Sequence, residues 1–147
     1  MFQNILAPVD GSKHAFRALD VAADLAGTYG GDLNILSVYR HHSAVENTHS
    51  LVRPSPQVPH VDTAMHDYAK EVVERACDYV RQHYAVEPAG FVRRGQPART
   101  IVAAANELEC DTIVMGSRGL GDMTGLLLGS VSHKVASLAE CTLVTVK

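Results

Sequence analysis

Short apolar runs alternate with longer stretches in which apolar residues recur at helical spacing, from one end of the chain to the other. Asn4-Ile5-Leu6-Ala7-Pro8-Val9 is a run of strand length, halted by Asp10-Gly11-Ser12. Pro8 cannot donate to a ladder and therefore belongs at the strand's end. From Lys13, residues Phe16, Leu19, Ala22, Ala23, Ala26 and Tyr29 mark a helix, with Ser12 or Asp10 placed to cap it and Gly30-Gly31 to end it. Asp32 to Tyr39 reads as a second strand. Residues 40 to 61 have no period and carry Pro54, Pro56 and Pro59, which predicts a long loop. Met65, Tyr68, Ala69, Val72, Val73, Ala76, Tyr79 and Val80 then form one face of a helix ending near Tyr84, with Tyr68 and Tyr79 read as core. Ala89 to Val92 is a third strand. Pro97 opens a helix through Ile101, Val102, Ala105 and Leu108. Thr112 to Met115 is a fourth strand, about Ser130 to Ala139 a short helix, and Thr142 to Val146 a fifth strand.

Strands and helices thus alternate without a repeat or linker, which predicts one α/β domain over residues 1–147. Its sheet is parallel and doubly wound, with helices on both faces. Right-handed crossovers and one reversal of direction give the strand order 3-2-1-4-5. Strands one and four are then neighbours, and ligands of such sheets bind at the carboxyl ends of the strands where the order reverses. The loops Pro8 to Ser12 and Gly116 to Ser130 should therefore form the site.

Composition narrows the partners. With 46% hydrophobic and 20% charged residues, the chain is globular, and a net charge of −3 gives no general attraction to nucleic acid or anionic lipid. No stretch is long and apolar enough for a membrane span and the first residues lack a basic leader, so the expected location is the cytoplasm. Cys77, Cys110 and Cys141 match no zinc or redox spacing and read as reduced, mostly buried small hydrophobes. His41, His42, His49 and His60 in the predicted loop form no helical pair and lie near no cysteine, which favours solvated side chains over a metal site.

The glycines gathered between Gly116 and Gly129 are the least ordinary feature. Without Cβ atoms, backbone N–H groups can approach a phosphate, and Gly129-Ser130 opening a helix adds the positive end of its dipole. The hydroxyls of Ser130 and Ser132 can donate as well, and Arg118 offers a fork of donors. Asp122 opposes an anion unless it turns away or helps hold a metal. A Walker A loop is excluded because the chain has no Gly-Lys pair, and a dinucleotide fingerprint fails at Thr124.

Gly116, two residues, Gly119, nine residues and Gly129-Ser130 resemble the Gly-x2-Gly-x9-Gly-Ser/Thr pattern of the ATP-binding universal stress proteins. The resemblance spans the chain. Ile5 to Ser12 is similar to that family's opening strand and turn, Gly95-Gln96-Pro97-Ala98 to its Gly-Asp/Asn-Pro-Ala segment, Ile113 to Gly119 to its most typical stretch, and Cys141 to Val146 to its last strand. Gln96 departs from the usual acid or Asn. Thr142 departs from the usual proline, and is expected to restore a backbone donor for pairing at the edge.

The resemblance implies ATP as ligand, with Mg. Asp10 would lie near the ribose or the metal-phosphate group, Pro8, Val9 and Val38 near the adenine, and Gly116, Ser117, Arg118 and Gly119 along ribose and phosphates. Gly129, Ser130, Val131 and Ser132 would hold the β- and γ-phosphates. His133 beside Lys134 could reach a phosphate, although an exposed helix face is the plainer reading. No nucleophile with its general base can be assigned, so a nucleotide-dependent regulatory module in stress response is favoured over a slow ATPase or phosphotransfer protein, and over an interaction module without nucleotide. The last strand, apolar and β-branched, lacks the proline or internal lysine that blunts an open edge, which predicts a homodimer through it, with a further protein partner unidentified.

Overall fold

In the computed structural model, which describes residues 1–40, 58–120 and 128–147, the chain runs through nine elements. These are β1 (Asn4–Pro8), α1 (Lys13–Tyr29), β2 (Asp32–Tyr39), α2 (Val58–His83), β3 (Ala89–Arg94), α3 (Pro97–Glu107), β4 (Thr112–Gly116), α4 (Ser130–Leu138) and β5 (Thr142–Val146). Every strand pair is parallel, and the order is the expected β3-β2-β1-β4-β5. Among the described residues no helix is long and apolar enough to cross a membrane.

The central strands are apolar at consecutive positions because both faces are covered. Ile5, Ala7, Leu33, Ile35 and Val114 pack with α1 and α2, whereas Leu6, Leu36, Ile113 and Met115 pack with α3 and α4. Pro8 ends β1, as a residue without an N–H should, and the next amide resumes the ladder, Val9 N donating to Leu36 O at 2.8 Å. Ser12 is the cap of α1, its Oγ accepting from Ala15 N at 3.2 Å, and Gly30 ends the helix in the left-handed region at φ 67°. Gln96 caps α3 despite its length, with Oε1 accepting from Arg99 N at 2.9 Å.

Two expectations are corrected. The helix placed after residue 61 begins at Val58, with Pro59 in its first turn, where a missing N–H costs no intrahelical bond. Residues 41–57 of the predicted loop, with His41, His42 and His49, lie outside the described residues. Tyr68 is not core but 52% exposed, whereas Tyr79 is half-buried and donates to Asp20 Oδ1 at 2.7 Å. The buried stripe of α2 runs instead through Ala69, Val72, Val73, Ala76, Cys77 and Val80. Burial also pushes the Cys110 thiol up to about 11, which keeps it protonated at neutral pH, as a buried small hydrophobe requires.

Thr142 does have the donor a proline would lack, but it points inward. Its N–H bonds Asp111 O at 3.1 Å, and at the other end of the strand Val146 O accepts from Ser117 N at 2.7 Å. Even-numbered residues of β5 therefore face β4, and the open edge belongs to Leu143 and Thr145.

At the opposite end of the sheet from the predicted site, Asn34 is buried in β2 with its Nδ2 donating to Asn4 Oδ1 at 2.7 Å, while Asn4 Nδ2 donates to Leu108 O at 2.6 Å. This ties β1, β2 and the end of α3 together. Asn34→Leu should lower unfolding stability by roughly 1–3 kcal/mol, since it removes the amide donor from the half-buried Asn4 Oδ1 and from the buried Ile5 O. Urea denaturation measures it, and an unchanged midpoint would mean that the amide contributes nothing.

Candidate functional site

The turn after β1 is shaped by Asp10. Its Oδ1 accepts from Ser12 N at 2.9 Å, which closes a small side-chain turn and fixes the carboxylate over the start of α1. The loop after β4 comes against it, since a Cβ built on Gly119 would stand 2.8 Å from Asp10 Oδ2. The topological switch between β1 and β4 is thus where the two loops touch, as the strand order predicts.

Between them lies a cavity of about 480 Å³, and of the sequence-predicted residues it gathers Pro8, Val9, Asp10, Val38, Gly116, Arg118, Gly119, Gly129, Ser130, Val131 and Ser132. Ser117 is not brought to it. That residue is buried, with its N–H on Val146 O and its carbonyl accepting from Gly129 N at 2.6 Å. Two other roles read from the sequence change. The Ser132 hydroxyl is already engaged, donating to Gly116 O at 2.8 Å inside the protein, so the one donor Ser132 can offer a phosphate is its backbone amide. His133 and Lys134 are exposed and outside the cavity wall.

Close approach, rather than an unusual φ, explains Gly116 and Gly119. Positive φ among the described glycines is confined to Gly11, Gly30 and Gly95. Gly116 is pressed against α1, where an added Cβ would lie 2.9 Å from the carbonyl carbon of His14. Gly129 is the N-cap of α4 at φ −58° and ψ 156°, with no side-chain cap bond. The first-turn amides of α4, on Ser130, Val131 and Ser132, therefore reach the cavity without a capping side chain, at the positive end of the helix dipole.

Pattern reading missed Ala15, Leu36, Arg40, Pro97, Ile101, Met115 and Leu120, which complete the wall. Leu36, Ile101 and Met115 could have been found from the strand order, because they stand at the carboxyl ends of strands or on the helix facing them. Arg40 follows β2 directly and belongs to no motif. Neither Arg40 nor Arg118 has a carboxylate partner among the described residues. The cavity thus has an apolar end between β1, β2 and β4, a cationic and amide-lined end at α4, and Asp10 as the only carboxylate among the described residues lining it. Such a lining suits an apolar ring joined to an anionic tail. Among the described residues no cluster of three or more His, Cys, Asp or Glu could hold a metal by itself.

Comparison with known proteins agrees with this architecture. Universal stress protein YxiE of Bacillus subtilis is 34% identical over 151 residues, covering all of both chains. The solved structure of universal stress protein UspA from Lactobacillus plantarum superposes with a TM-score of 0.84 at 25% identity, covering 99% of this chain and 98% of that one. A universal stress protein solved in complex with cAMP is 26% identical, with a TM-score of 0.72 over 99% of this chain and 97% of that one. The universal stress protein family matches residues 1–147, and the chain belongs to that family.

Proposed function

We propose that this protein binds ATP in the cavity between the β1 and β4 loops and acts as a nucleotide-dependent regulatory module in stress response, not as a turnover enzyme. One observation carries the reading: uncapped amides at the N terminus of α4 share a cavity with Arg118 and, at its other end, an apolar slot suited to a base. The relative solved with cAMP supports the adenine part. Pro8, Val9 and Val38 hold the adenine, Asp10 faces the ribose, and Gly116, Arg118 and Gly119 follow the phosphates to the amides of Gly129–Ser132, except that the Gly129 amide is held by Ser117. Arg40 joins them at the rim.

The donor set fits Mg bound with the nucleotide. A single carboxylate makes no metal cage, but one carboxylate together with phosphate oxygens and water is ordinary Mg coordination. Bound there, the ion would neutralise phosphate charge beside Asp10. Asp122 lies outside the described residues, and among those described no second acid lines the cavity to act as a base toward water, which supports retention of ATP over hydrolysis. The working form is a cytoplasmic homodimer joined through β5 that presents the nucleotide state to a protein partner.

Isothermal titration with ATP should give one site per chain, tighter with Mg than without it, and no phosphate release above the uncatalysed rate. Heat from GTP equal to that from ATP would remove the adenine assignment. Absence of any ATP signal would overturn the reading.

A further inference from the structure

Beside the nucleotide cavity, toward α2, lies a larger one of about 730 Å³. The two share Asp10, Val38, Arg40, Pro97 and Leu120. Its far wall is the N-terminal half of α2, including Val61, Ala64, Met65 and Tyr68. Val61, Tyr68 and Leu120, which line it, are three of the seven exposed large hydrophobic residues among those described, at 41%, 52% and 67%. The β1 loop makes room for it. Gly11 has φ +84°, and a Cβ there would stand 2.8 Å from Tyr68 Oη, so the phenol rests over the turn that holds Asp10.

We propose that this second cavity receives an apolar acyl or aryl group carried on the ribose of the bound adenine nucleotide, so that ribose-substituted nucleotides are preferred over ATP itself. The proposal rests on the nucleotide reading above. Asp10 decides the point of attachment. It is the one carboxylate among the described residues lining either cavity, and a carboxylate accepts from sugar hydroxyls directly, whereas a phosphate stands beside it only with a cation between them. Because it lines both, a ribose with one hydroxyl on Asp10 directs a substituent on the neighbouring hydroxyl across the shared wall. There it meets Val38 and Leu120 and then Met65 and Tyr68. Burial of an aromatic group against these side chains strengthens binding without altering the phosphate contacts.

The probe is 2′/3′-O-(N-methylanthraniloyl)-ATP, titrated in parallel with ATP. It should bind about tenfold tighter than ATP, with blue-shifted and enhanced emission. Ala64 is exposed on α2 and lines only the second cavity, so Ala64→Trp should fill that space and cancel the gain while ATP affinity stays at the wild-type value. Tyr68→Ala should reduce the gain by opening the wall. Equal affinities for the two nucleotides in the wild-type protein, or a gain that survives both variants, would overturn the proposal and leave ATP binding standing. A gain for N6-benzyl-ATP in place of the ribose derivative would put the adenine edge at the shared wall and overturn the ribose assignment. Failure of ATP itself to bind would overturn the nucleotide reading and this one with it.

Discussion

Gly119→Val should weaken ATP binding by about a hundredfold, roughly 2.8 kcal/mol, with the far-ultraviolet spectrum and thermal midpoint close to wild type. The backbone of Gly119 is not in the left-handed region, so valine meets no forbidden φ. The obstacle is Asp10, whose Oδ2 lies 2.8 Å from where the new Cβ would stand. Asp10 cannot simply swing aside, because its Oδ1 holds the Ser12 amide at the entrance to α1. Either the carboxylate leaves its position or the β4 loop retreats, and the valine methyls then fill space where ribose and phosphate belong. Gly119→Ala should produce a smaller loss of the same kind. Calorimetric titration decides it, and a valine variant with wild-type affinity would remove this loop from the nucleotide site.

Thr145→Pro should raise the dimer dissociation constant about thirtyfold while leaving the monomer folded. The open groups of β5 are those of Leu143 and Thr145, since the even-numbered residues bond to β4. A proline at 145 deletes an outward donor without touching the inner ladder, and two-fold symmetry makes each substitution count twice, at roughly 1 kcal/mol per lost bond. Val144→Pro makes the contrast, because it strikes the inward-facing bonds to β4 and should destabilise the monomer itself. Sedimentation velocity across a concentration series reads both. A wild-type protein monomeric at micromolar concentration would eliminate the dimer, and a Thr145→Pro variant that dimerises normally would move the interface to another surface.

The strand order was legible because burial on both faces leaves continuous apolar runs such as Ile5-Leu6-Ala7, and few topologies join five of them through helices. Asp10, Gly119 and the α4 N terminus were legible for a related reason, since the reversal of strand order brings specific loop residues together. Side-chain pattern failed where backbone geometry decides. Pro59 reads as a breaker in composition, yet at the first turn of α2 it is compatible with the helix. Tyr68 shares its periodicity with core residues, but it lies in the half of α2 that also borders the second cavity, where the stripe no longer implies burial. The inward direction of the Thr142 amide and the engaged hydroxyl of Ser132 depend on register and on one interior contact, neither of which residue identity encodes.

Ser117, which contributes no side chain to the cavity, sets a mechanical relation within it. Its amide grips the last residue of β5 and its carbonyl grips the residue that opens α4. A strand advances about 3.3 Å per residue, more than the length of either bond, so β5 cannot slip by one position and keep this grip. The alignment of the edge strand and the aim of the α4 amides consequently behave as one coordinate. The rim of the sheet and the donors that would hold a phosphate are thereby tied to the backbone of the same residue.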